Sequence, residues 1–161
     1  MLQDEIKYSQ VNDSNINLLK SLNSILFPVS YNESFYNDVL NTYPKHLSLL
    51  AYHNNNLIAA ICCREEDDRV YIMTFGVIET YRRFKIGSKL LQKIIAQIEL
   101  YNDLELSRVC LHVHVLNNVA IGFYLNNGFR REEYIEGYYK RNVGVEPPDA
   151  YLLVRDLINK N

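Results

Sequence analysis

No run of apolar residues in this 161-residue chain approaches the roughly 18 that a membrane-spanning helix needs. The first residues, Met1-Leu2-Gln3-Asp4-Glu5, are acidic and lack the basic-then-apolar order of a secretion signal. Charge of one sign is missing too: 17 Lys and Arg face 19 Asp and Glu, a net charge of -2. That balance argues against a protein held to nucleic acid by bulk charge. Cysteine is scarce. Cys62, Cys63 and Cys110 are odd in number, with two adjacent, which is no disulfide framework. No Cys-x-x-Cys pair offers a structural zinc site. The expectation is three reduced, buried thiols in the cytosol or nucleus. Also absent are Gly-x-Gly-x-x-Gly, a phosphate loop ending Gly-Lys-Ser/Thr, and Gly-x-Ser-x-Gly. Dinucleotide redox chemistry, nucleotide hydrolysis and esterase chemistry therefore lose their usual signatures.

What is present is an ordinary globular balance, 48% hydrophobic and 22% charged. Residues 1–161 read as one domain, long enough to bury a core without disulfides or metals. Glu5 to Val11 suits a first strand. Asp13 or Ser14 can cap a helix whose Ile16, Leu18, Leu19, Leu22, Ile25 and Leu26 are spaced for one face. Pro28 stops that helix, and a second short one fits Asn32 to Leu40. His46 to His53 and Leu57 to Arg64 form a hairpin about an Asn turn, and Arg69 to Val77 is a third long strand. An amphipathic helix carries Leu90, Leu91, Ile94, Ile95 and Ile98. A strand from Arg108 to Leu116 follows, then a short helix from Val119 to Asn126 closed by Gly128 as a left-handed cap. Arg130 to Tyr138 and Ala150 to Asp156 are the last strands. This order predicts an α+β fold with a mixed sheet.

Three segments carry chemistry. In Tyr81-Arg82-Arg83-Phe84-Lys85-Ile86-Gly87, three cations crowd a helix start, where free N–H groups and the helix dipole add positive potential. That pattern suits a phosphate or pyrophosphate. In the strand from Arg108, Val109, Leu111, Val113 and Val115 alternate with Cys110, His112 and His114. The first set faces a core and the second can line a cleft. Two histidines at i and i+2 can also share a metal, though no third ligand is evident. Cys110 stands roughly 7 Å from His112 along a strand, too far for direct proton transfer, so it reads as structural. In the strand Arg69 to Val77, alternation puts Tyr71, Met73 and Phe75 on one face.

The chain resembles the GNAT superfamily of acetyl-CoA-dependent N-acetyltransferases. Arg82 and Gly87 match that family's pyrophosphate pattern Arg/Gln-x-x-Gly-x-Gly/Ala, with Lys85 standing where glycine is usual. Asn117, Ala120-Ile121-Gly122-Phe123-Tyr124 and Gly128-Phe129 match its later Asn-x-x-Ala-x-x-Phe-Tyr…Gly-Phe segment. Phe27-Pro28-Val29-Ser30-Tyr31, Tyr71-Ile72-Met73-Thr74, Leu111-His112-Val113 and Tyr138-Tyr139-Lys140-Arg141 are similar to the NatE-type N-terminal acetyltransferases. The resemblance implies a GNAT fold, with a mixed, mostly antiparallel central sheet flanked by helices. It implies acetyl transfer from acetyl-CoA to the α-amine of proteins that keep their initiator methionine. Lysine acetylation, or cofactor binding with little turnover, stands as the alternative.

The resemblance also assigns residues. Tyr71 and His112 would take the amine proton and Tyr124 would assist the leaving thiol. Val77, Arg82, Arg83, Lys85, Ile86, Gly87, Ser88, Asn117 and Tyr124 would hold coenzyme A. Phe27, Pro28, Val29, Tyr31, Met73, Tyr138 and Tyr139 would wall the acceptor pocket. Protein and nascent-peptide N-termini would be its substrates. The auxiliary and catalytic subunits of the NatA acetyltransferase would be its partners near the ribosome, in the cytoplasm or nucleus.

Overall fold

A computed structural model describes residues 2–101 and 105–158; Met1 lies outside them. Strand β1 (Ile6–Ser9) leads into α1 (Ile16–Leu26) and α2 (Glu33–Asn37). Then come β2 (Ser48–His53), β3 (Asn56–Glu66) and β4 (Arg69–Val77), followed by α3 (Ile86–Leu100) and β5 (Arg108–His114). The last elements are α4 (Asn118–Asn126), β6 (Arg130–Ile135) and β7 (Ala150–Asp156). They build one seven-stranded sheet in the order β1-β2-β3-β4-β5-β7-β6. Every pairing is antiparallel except β4 with β5. This is the α+β architecture expected. Among the described residues no helix is long and apolar enough to cross a membrane.

One face of the sheet is covered by α3, whose Ile86, Leu90, Leu91, Ile94, Ile95 and Ile98 are all buried against strand residues such as Ile61, Val70 and Leu111. Each such side chain contributes about 1.5–3 kcal/mol, so this stripe is the main anchor of the crossover from β4 to β5. The other face carries α1 and α2 through Leu19, Leu22 and Tyr36, with Val39 just beyond α2. Leu18 and Ile25 are not part of that stripe. They are 47% and 70% exposed, because Ile16, Leu19 and Leu22 already fill the space over β3.

Several local expectations are corrected. Neither Asp13 nor Ser14 caps α1. Asn15 is its N-cap residue, and the Asn12 carboxamide oxygen accepts from the Ser14 and Asn15 N–H groups at 2.8 and 3.1 Å. An Asx turn thus supplies the capping that a single side chain would. The second helix passes from α2 into a π-turn, Asp38–Thr42, instead of running on as α-helix. β6 stops at Ile135 and not at Tyr138, since the chain turns away at Gly137, φ +69°. Gly128 does adopt the left-handed cap conformation after α4, φ +86°.

Two features of β4 shape everything that follows. It pairs with β5 only at Arg69–Arg108, Val70–Val109 and Tyr71–Cys110; beyond Tyr71 the two strands part. On its other side, Cys62 pairs with Thr74 and Cys63 with Ile72. Met73 is therefore an extra residue, a β-bulge that shifts the phase of the strand. Met73 packs with the α1/α2 cluster while Phe75 packs with the α3 cluster. The expected common face of Tyr71, Met73 and Phe75 is thus broken between Met73 and Phe75.

Candidate active site

At the point where β4 and β5 separate, the Tyr71 hydroxyl lies 2.7 Å from His112 Nδ1. The pair sits on the α1/α2 side of the sheet, above the buried residues Cys110, Leu152 and Val154. Burial first, then the nearby Arg69 charge, lowers the His112 pKa below the ordinary 6.5. The imidazole is therefore neutral at physiological pH and can accept a proton. Burial and the Tyr138 hydroxyl raise Tyr71 above the ordinary 10.0, so it stays a phenol. The hydrogen bond accordingly runs from the Tyr71 O–H to Nδ1, with the other imidazole proton on Nε2. Cys110 is fully buried and its thiol pKa is raised by that burial, the opposite of an activated nucleophile.

His114 faces the same way but is committed elsewhere. Its Nε2 donates to the Pro147 carbonyl at 2.6 Å and its Nδ1 accepts from the Leu116 N–H at 3.3 Å. With both nitrogens bonded, it cannot turn to share an ion with His112. Among the described residues no group of three or more His, Cys, Asp or Glu side chains is placed to hold a metal.

Tyr138 lies flat on the His112 ring, with centroids 4.2 Å apart and planes at 17°. Tyr139 meets Tyr138 edge-on at 4.9 Å. The α1–α2 loop presents Phe27 and Tyr31 in an edge-to-face pair at 6.0 Å. Pro28 and Val29 are exposed and Phe27 is half-buried, so this loop is an open apolar wall and not core. Met73 packs against the same cluster as Tyr31. The seven expected acceptor-wall residues thus fall on two loops and one bulge; Tyr138 touches both Tyr71 and His112, whereas Val29 and Tyr31 line a separate cavity with Lys20, Asn23 and Tyr36.

On the opposite side of the parted strands lies a groove of about 550 Å³. Phe75, Phe123 and Tyr124 form its apolar floor; Arg82, Arg83 and Lys85 line its cationic end. Val77, Gly87, Ser88 and Asn117 line it as well. Lys85 takes the left-handed conformation, φ 58° and ψ 23°, immediately before α3, and no side chain caps that helix. First-turn N–H groups therefore remain for an anion. Arg82 is fixed by its Nε–H, which donates to the Val77 carbonyl at 2.9 Å. The Asn117 oxygen accepts from the Ala120 N–H at 3.2 Å and caps α4. Ile86 is the exception among the expected cofactor residues. Its side chain is 1% exposed in the core, so only its backbone can serve the groove.

A groove lined by aromatic rings, three cations and an uncapped helix start fits a pantetheine arm joined to a diphosphate. Residues 16–129 match the acetyltransferase (GNAT) family. The chain belongs to the GNAT acetyltransferase family. It is 41% identical over 98% of its length to the probable N-acetyltransferase san of Drosophila melanogaster, covering 84% of that protein. It is 40% identical over 97% of its length to N-alpha-acetyltransferase 50 of Danio rerio, covering 91% of it. Its structure resembles that of Arabidopsis thaliana Naa50 in complex with the bisubstrate analogue CoA-Ac-MVNAL. The TM-score is 0.77 at 35% identity, covering 94% of this chain and 98% of that one.

As a GNAT enzyme, the chain uses acetyl-CoA. Tyr124 is buried in the groove floor, and burial raises its phenol pKa, which keeps it a hydrogen donor there. Three contributors escaped sequence reasoning. Gly76 carries no side chain where α1 reaches β4: a Cβ there would lie 2.7 Å from Leu26 Cδ1 and 3.3 Å from Phe27 Cζ. A glycine within an otherwise bulky strand was the available signal. Arg64 places its guanidinium 5.2 Å from the Tyr71 ring centroid, with nothing local to betray it. Asp149 is the third, through bonds to residues distant in sequence.

Proposed function

We propose that this enzyme acetylates the α-amine of polypeptides that retain their initiator methionine, with a hydrophobic residue following. One observation carries the reading: a neutral imidazole bonded to a phenol at 2.7 Å, set between an apolar acceptor wall and the coenzyme groove. Acetyl-CoA supplies the acetyl group as an activated thioester. An α-amine has a pKa of about 7.7–8.0, so a useful fraction is already a free nucleophile and a strong base is unnecessary. As the amine attacks, its proton passes to the Tyr71 oxygen, directly or across one water, while the Tyr71 proton moves to His112 Nδ1. Tyr71 is a phenol before and after, and His112 ends as imidazolium. Tyr124 donates toward the departing sulfur. Most of the rate then comes from holding both reactants in place. The apolar walls suit a methionine side chain, and the tyrosine hydroxyls suit peptide backbone.

The test is acetyl transfer to a Met-Leu peptide, a peptide of the same sequence without the methionine, and a blocked peptide bearing lysine, read by peptide mass. Preferential modification of the first is expected. Faster reaction of the lysine peptide would overturn the reading.

Cytoplasmic action beside the ribosome, with the NatA auxiliary and catalytic subunits, belongs to the same proposal. It is supported by the family resemblance and by thiols that remain unpaired. Tagged protein should co-purify with those subunits from cytosol. Recovery from the secretory fraction, or without them, would refute this part.

A further inference from the structure

The connection between β6 and β7, residues 136–149, carries Tyr138 and Tyr139. Long irregular connections are ordinarily the mobile parts of a fold, yet this one must hold an aromatic ring parallel to His112. Tyr138 has little of its own to fix it: a stack on His112, an edge contact with its neighbour Tyr139, and a 3.5 Å approach to the Tyr71 hydroxyl. The backbone around it is fixed instead. Asp149 Oδ2 accepts from the Tyr134 hydroxyl at 2.6 Å, and Asp149 Oδ1 accepts from the Gly137 N–H at 2.8 Å. Gly137 is the turn residue directly before Tyr138, and Tyr134 lies at the end of β6. The Tyr139 N–H donates to the Pro148 carbonyl at 2.8 Å. One carboxylate thus ties both ends of the connection together.

We propose that Asp149 is a positioning residue: by bridging Tyr134 and Gly137 it holds Tyr138 over the His112 ring and so sets the acceptor site. The two hydrogen bonds, first from Tyr134 and then from Gly137, keep its pKa below the ordinary carboxylate value. The bridge is therefore ionised throughout the working range, and such charge-assisted bonds are strong for their kind. The Tyr134 phenol is correspondingly pushed up to about 12. This proposal rests on the reading that Tyr138 walls the acceptor-peptide site.

The test is steady-state kinetics of D149A, Y134F and Y138A with a Met-Leu peptide, beside calorimetry with acetyl-CoA. D149A, which loses both bonds of the bridge, should raise the peptide KM about tenfold and lower kcat less. Acetyl-CoA affinity should not change. The lower acid limb of kcat/KM, that of His112, should move to higher pH as the ring loses its cover, because Arg69, Glu66 and Glu133, the charges that act on it, stay in place. Y134F should show the same pattern more weakly. D149A with wild-type peptide KM and an unmoved acid limb overturns the proposal, as does a parallel loss of acetyl-CoA binding. Should D149A not fold, an unchanged peptide KM in Y134F overturns it equally. Y138A separates the two claims. An unchanged KM there refutes the acceptor-wall reading, whereas a raised KM there beside normal D149A refutes only the role of Asp149.

Discussion

The Tyr71 hydroxyl and His112 Nδ1 are bonded just where β4 and β5 cease to pair, so the contact sits where the sheet opens. In the proposed transfer the two groups move one proton between them, so their contributions should not add. His112→Ala should lower kcat about 100-fold, the lower range for a lost proton acceptor. Tyr71→Phe should lower it similarly, and the double variant little further. Acetyl-CoA affinity should be unchanged in all three. Stopped-time peptide assays and calorimetry check both points.

The pH profile should have two acid limbs. As pH falls, the peptide α-amine protonates first, near 7.7–8.0, and the rate of attack falls with it. His112 protonates only below its ordinary 6.5, since burial lowers it. A plot of log kcat/KM should therefore steepen from slope one to slope two below that value. Tyr71 titrates above 10.0, so no alkaline loss is expected up to that pH. His112→Ala should abolish the second steepening.

Lys85 pays for a conformation that glycine adopts freely. At φ 58° a residue with a Cβ loses about 1–2 kcal/mol, so Lys85→Gly should stabilise the fold by about 1 kcal/mol in denaturant titration. The same change removes a groove cation. Coenzyme A affinity should fall a few-fold and certainly not rise tenfold, as calorimetry will show.

Gly76→Ala tests the close approach of α1 to β4. The new Cβ meets Leu26 at 2.7 Å and Phe27 at 3.3 Å, and overpacking of this kind costs about 1–3 kcal/mol. The Phe27 wall must shift with it. Lower stability and a raised peptide KM are expected together; wild-type values for both would show that Leu26 absorbs the change.

The sequence made some of this legible and hid the rest for physical reasons. The β5 alternation of valine and leucine against Cys110 and His112 declared both its faces, since period two leaves no choice of register. In β4 the same logic failed past Ile72, because the Met73 bulge inserts one residue and reverses the phase. In α1 the apolar spacing included Leu18 and Ile25, and nothing local says which of two adjacent stripes a sheet will cover. The cationic bend before α3 was readable from charge and position alone, and its Arg82, Arg83 and Lys85 do line a groove. The Asp149 bridge was not, since its partners Tyr134 and Gly137 meet it only after β6 has paired with β7.

Beyond Tyr71, β4 pairs with no strand on its β5 side among the described residues, so the ladder is interrupted in the middle of the sheet. At the far end of that stretch the Val77 carbonyl takes a side-chain donor, the Arg82 Nε–H, in place of a strand. A bound coenzyme arm and an incoming chain end would serve as borrowed strands, completing the molecule as well as reacting in it. Substrate loading is then a final stage of folding, and the enzyme should be at its most rigid in the moment before transfer.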